Sequence, residues 1–210
     1  MTRLTSLLLA TALLAPTPAQ AAPSFQPVPP QADHATSLQI RVLRYTGGVH
    51  GKMIIEVRNR GAREETFSAR GLYFVPAVAP ERAPQREGAA GPFEVASLPS
   101  RQRASSLAVR PGQTARLDLQ TFCLDSHRPS PPRGQAYRVA SRRLPAVLES
   151  RIESGTASIL AGGGDAGAVQ QLVWSTRNQR WIVLEGERPG ERDTAPRAPA
   201  SQPASDVINL

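Results

Sequence analysis

Leu107-Ala108-Val109-Arg110-Pro111-Gly112-Gln113-Thr114-Ala115-Arg116-Leu117-Asp118-Leu119-Gln120-Thr121-Phe122-Cys123 is the stretch that decides the fold. Ala115, Leu117 and Leu119 alternate with Arg116, Asp118 and Gln120, the two-residue period of a strand with one buried face. Thr121 and Cys123 continue the buried side. Pro111-Gly112 suits the centre of a type II turn, where proline fixes one φ and glycine accepts the positive one. The stretch therefore reads as a hairpin, with Leu107 to Val109 facing Thr114 to Thr121.

The same rhythm extends upstream. Leu38, Ile40 and Val42 alternate with Gln39 and Arg41, and Met53, Ile55 and Val57 alternate with Ile54, Glu56 and Arg58. Gly47-Gly48, Gly51 and Asn59-Arg60-Gly61 punctuate these runs. Thr66 to Ala69 and Leu72 to Val75 give one further strand or two short ones. Downstream the period changes. Pro145 fits a first helical turn, and Leu144, Val147, Leu148, Arg151 and Ile152 recur at helical spacing, which predicts a helix over 144–154 ended by Gly155. Gly162 to Gly164 connect to Asp165, which can cap a second helix with the stripe Val169, Leu172, Val173 and Thr176. Trp181 to Leu184 read as a closing strand. The expected fold is mainly β, an immunoglobulin-like antiparallel β-sandwich with two short helices near its C-terminal end.

The 210 residues divide by composition. Arg3, the apolar run Leu7 to Ala15 and the small-x-small site Ala19-Gln20-Ala21 read as a signal peptide over 1–21, too short for a permanent membrane anchor. Residues 22–36, with four prolines, read as an extended linker. The domain spans 37–185, interrupted by a long Pro- and Gly-rich loop at 76–99. Residues 186–210 read as a disordered tail. The reading places the protein in the periplasm or outside the cell.

Loss of Arg3 with the leader leaves 24 basic residues against 17 acidic ones, a net charge of +7. Lys52 is the single lysine. The arginines are scattered among acids and are not interleaved with aromatic rings, so the pattern does not describe a nucleic-acid groove. No stretch after the leader is apolar enough to span a membrane. A basic surface outside the cytoplasm suits an anionic envelope polymer or another surface protein as partner.

Catalytic signatures are missing from the sequence: no GxSxG, HExxH, paired-carboxylate pattern or phosphate-cradling loop occurs. The expectation is a chain that is not an enzyme and takes no cofactor. Cys123, Asp125 and His127 would point the same way on an extended strand, but Pro129, Pro131 and Pro132 end such a strand. Asp125 and Ser126 then read as turn formers, and no metal is assigned. Aromatic Trp174, Trp181, Tyr45, Tyr73 and Tyr137 read as core, with Trp174 bridging a helix and the sheet. Cys123 cannot form an internal disulfide and reads first as a buried, inert thiol.

A second reading of that thiol comes from Phe122-Cys123-Leu124-Asp125 taken with Val169-Gln170-Gln171-Leu172-Val173-Trp174. This pair of motifs resembles the bacterial surface thioester domains. The resemblance implies that the Cys123 sulfur attacks the Gln170 side-chain amide, that ammonia leaves, and that the resulting thioester is opened by a nucleophile on a target surface. It covers about ten residues.

Overall fold

The computed structural model describes residues 23–31, 36–48, 51–96, 102–179 and 182–191. The signal peptide, His34, His50, Trp181 and residues 192–210 lie outside them. The described residues form eleven strands and two helices: β1 Gln26–Pro27, β2 Leu38–Tyr45, β3 Lys52–Asn59, β4 Glu65–Phe67, β5 Tyr73–Pro76, β6 Glu87–Ala89, β7 Phe93–Val95, β8 Arg103–Ala104, β9 Leu107–Val109, β10 Thr114–Cys123, β11 Tyr137–Val139, α1 Ala146–Leu160 and α2 Ala166–Gln179. All strand pairs are antiparallel. The main sheet runs β1-β2-β3-β10-β6-β5-β11, with β7 on β10 and β8 on β7, while β4 and β9 form a separate pair.

The alternating runs became the longest strands because each can bury one face completely. Ile40, Met53, Ile55, Val57, Leu117 and Leu119 are essentially without solvent contact and share one core. Each such side chain contributes roughly 1.5–3 kcal/mol relative to exposure. The sheet curls until β11 lies beside β2, approaching a barrel. Gly134 N–H donates to Tyr45 O at 3.0 Å across that seam, and the Tyr45 and Tyr137 rings meet edge-on at 5.4 Å between centroids. The small β4–β9 sheet closes one side of the core, with Phe67 against Phe93. A second apolar cluster lies between the far end of the sheet and the helices, built from Phe122, Leu124, Leu144, Leu148, Ile152 and Val173.

Six expectations change. The turn at Pro111-Gly112 forms, with Gly112 at φ +73° and Gln113 N–H bonded to Arg110 O, but its arms do not pair. β10 aligns seven residues with β3, whereas Leu107–Val109 offers only three and pairs with β4. The longer ladder satisfies more backbone groups, so it takes the strand.

The stretch 76–99 is not a long loop among its described residues. It holds a 3₁₀ turn at Pro80–Arg82 and the strands β6 and β7, and residues 83–91 are buried. Its glycines and charges disguised it. A Cβ on Gly88 would stand 2.6 Å from Ile152 Cδ1, so glycine is what lets α1 lie on β6.

Residues 22–36 are more than a linker: β1 adds an edge strand to β2, and Val28 is buried. α1 runs on through Gly155 to Leu160. Gly155 is buried at the crossing with α2, where a Cβ would fall 2.2 Å from Val169 Cγ1. It is a contact residue, not a stop. Finally, Ile182 to Leu184 form no strand, and the described part of the expected tail, 186–191, is folded onto the domain through Glu187 and Glu191. Asp165 does cap α2, its carboxylate accepting from Ala168 N–H at 2.9 Å.

Candidate functional site

The chemistry-bearing side chains gather where β10 outruns β3 and passes beneath α2. The β3 ladder ends at the pair Gln120–Lys52. Gly51 O then takes the Thr121 N–H at 3.1 Å and the Thr121 hydroxyl at 3.2 Å. One step further, the same edge of β10 has no strand beside it. The Gln170 side chain stands there instead. Its Oε1 accepts from Cys123 N–H at 2.9 Å, and its Nε2 donates to Cys123 O at 2.7 Å. A primary amide has the donor–acceptor pair of a peptide unit, so Gln170 completes the ladder as one more strand residue would.

α2 can present Gln170 this way because its buried face is Ala166, Gln170, Val173, Thr176 and Arg177. Leu172, expected in the stripe, is exposed. The helix is thus rotated toward its polar residues, since partners for them wait on the sheet. Gln170 and Cys123, 47 positions apart, are brought together.

The Cys123 sulfur engages another group. Its Sγ lies 3.0 Å from Glu87 Oε1, on the residue opposite it in β6. Glu87 is wholly buried, and desolvation raises its pKa to about 8, against hydrogen bonds from Cys123, Thr121 and Tyr45 that favour the charged form. Burial, and then the Glu87 charge, push the Cys123 thiol and the Tyr45 and Tyr137 phenols upward as well. The sulfur is therefore held as a thiol, the weaker nucleophile. Tyr137 donates to Gln85 O at 2.9 Å, and Trp174 Nε1–H reaches Gln85 Oε1 at 3.1 Å, which ties α2 to the segment leading into β6 and, through Tyr137, to β11.

Asp125 and His127 take separate places. Asp125 opens a turn as expected, its C=O accepting from Arg128 N–H at 3.0 Å, while its carboxylate is fully buried. Arg86 grips it with two side-chain bonds, Nε at 2.7 Å and Nη2 at 2.8 Å, and Arg177 Nη2 stands at 3.4 Å. Burial alone would raise the Asp125 pKa, but the Arg86 charge and hydrogen bonds, with Arg177 and Arg128, outweigh it and hold the carboxylate ionised. His127 Nε2 sits 2.7 Å from Glu191, which also binds Arg128. Burial works against Glu191 too, yet Arg128, the Arg188 N–H and His127 keep its pKa well below the ordinary carboxylate value. Arg177 pairs with Glu187 at 2.8 Å. Among the described residues, no three His, Cys, Asp or Glu side chains converge as a metal cluster. No helix there is long and apolar enough to cross a membrane.

Arg86, Glu87, Arg177, Glu187 and Glu191 were not singled out in the sequence. Charged residues inside Pro- and Gly-rich segments look solvated. Against known proteins, the chain matches no family model, and no curated protein or solved structure is significantly similar to it.

Proposed function

We propose that this protein is an exported, non-catalytic binding or structural module of the cell envelope or extracellular space. One observation carries the reading. The side chains able to do chemistry, Cys123, Glu87, Asp125 and Gln170, are bonded to one another or to backbone inside the domain. They hold the strand ends, helices and C-terminal segment together, which leaves the surface as the working part. An immunoglobulin-like kinship belongs to the same proposal. Its support is the antiparallel pairing and the small β4–β9 sheet laid across the main core.

A second reading is covalent adhesion through a Cys123–Gln170 thioester, favoured by the meeting of these two residues under α2. The sulfur would have to leave Glu87 and attack Gln170 Cδ, its proton departing with the amide nitrogen as ammonia. Two measurements divide the readings. Intact mass of the mature protein, with thiol titration after unfolding, is expected to show full mass and one free thiol. Co-sedimentation with washed cell envelopes is expected to persist in Cys123→Ala. A mass lower by one ammonia, with binding lost in Cys123→Ala, establishes the thioester instead. No sedimentation by either protein overturns the binding reading.

A further inference from the structure

The outer face of β2, β3 and β10 carries a compact group of guanidiniums. Strand register sets Arg41, Glu56 and Arg116 in one row across the three strands, and Gln39, Arg58 and Thr114 in the next. Arg60 follows just beyond the end of β3 and is exposed, as is Arg116. In these rows Glu56 is the carboxylate among the four guanidiniums, and Asp118 borders Arg116 at the next outward position of β10. Arg41 uses Glu56, with Nε 2.7 Å from its Oε2, and among the described residues Arg58 donates to the neutral Gln39 at 2.9 Å.

Phe25, just before β1, holds the group in place. The Arg41 guanidinium lies 4.5 Å and that of Arg58 3.8 Å from its ring centroid. Cation–π contact compensates two like charges for standing close together. The repulsion persists: besides local desolvation, the charges of Arg60 and Arg41 lower the basicity of Arg58. An anion placed across this face relieves it.

We propose that this face, centred on Arg58, Arg60 and Arg116, binds a carboxylate-bearing polysaccharide. The inference rests on the binding-module reading and gives it a place and a partner chemistry. Guanidinium pairs with carboxylate through two parallel N–H bonds, and two rows of a sheet repeat at the separation of alternate strand residues, roughly 7 Å, which suits a polymer with regularly placed charges. The Phe25 ring is already covered by guanidiniums, so it is no stacking platform for a nucleobase.

The test uses the full mature protein on polygalacturonate resin, with neutral dextran resin and DNA-cellulose as comparison columns. Retention on polygalacturonate alone, released by salt, is the expected result. Arg58→Gln/Arg60→Gln is expected to bind roughly tenfold more weakly. Arg142→Gln/Arg151→Gln, the same charge change at two exposed positions in or near α1, is expected to leave binding close to wild type. Equal weakening by both pairs overturns the site. Equal or stronger retention on DNA-cellulose overturns the partner. If the protein sediments with envelopes but passes through polygalacturonate, this inference fails and the binding-module reading stands; if it does neither, both fail.

Discussion

Gln170 on α2 holds both peptide groups of Cys123 on β10, accepting from its N–H at 2.9 Å and donating to its C=O at 2.7 Å. A side chain here does the work of a strand. The contact also sets how α2 sits on the sheet, because it fixes Gln170 on the inward face of that helix and leaves Gln171 outside.

Gln170→Ala removes both bonds and leaves the N–H and C=O of Cys123 buried without that partner. The expected cost is about 2–3 kcal/mol, read as a lower midpoint in urea unfolding at pH 7. Gln170→Glu keeps the acceptor and loses the donor, so it is expected to destabilise as well. A wild-type midpoint in Gln170→Ala would show that water replaces the amide without loss.

Glu87 makes stability depend on pH in the direction opposite to most carboxylates. Its folded pKa of about 8 lies above the ordinary 4.5, so the folded state holds a proton that the unfolded chain has released. Between those values the unfolded state binds fewer protons, and stability falls as pH rises, by roughly 2–4 kcal/mol across the window. Asp125, Glu185 and Glu191 have depressed values, and their contributions are lost at the acid end as pH falls. Denaturant midpoints from pH 5 to 8 are expected to decline for wild type and to stay flatter for Glu87→Gln. Parallel slopes in the two proteins would remove Glu87 as the cause.

Asp125 faces Arg86 and Arg177 in a site with no solvent. Asp125→Asn keeps the shape and removes the charge both guanidiniums are set against. Breaking one side of a buried ion pair costs about 3–5 kcal/mol. Thermal unfolding is the measurement, and a drop in Tm within a degree of zero would mean that the neighbouring glutamates compensate.

Gly155 and Val169 touch where the helices cross, with no room for a Cβ between them. Gly155→Ala is expected to destabilise by about 1–3 kcal/mol despite alanine's better helix propensity. Val169→Ala makes room, so the double variant is expected to be more stable than the two single effects added together. Strict additivity in that cycle would place the helices further apart than described.

The legible part of the fold was the part governed by one-sided burial. β2, β3 and the first half of β10 announce themselves because their alternation reflects a single apolar interior. α1 and α2 were visible through spacing and the Asp165 cap. What stayed hidden obeys a different rule. Arg86 and Glu87 are interior because each has a partner, and a partner 39 or 36 residues away leaves no local trace. Gly88 and Gly155 resemble breaks in a pattern, yet both are places where two elements come closest. For the candidate site, the sequence brought Cys123 and Gln170 to attention through their short motifs, while the role of Gln170 as a ladder partner depends on where β3 ends, which no motif records.

The clasp formed by Arg128 and Arg177 on Glu191 and Glu187 carries the folded unit at least as far as Glu191. Composition suggests trimming the chain near residue 185, but that cut would discard two carboxylates while keeping the guanidiniums they neutralise in the interior. A shortened version ending there is expected to be recovered as aggregate, whereas one reaching past Glu191 retains its own counter-ions. The turn at 188–191 is a latch, and fusion partners or affinity tags belong beyond it.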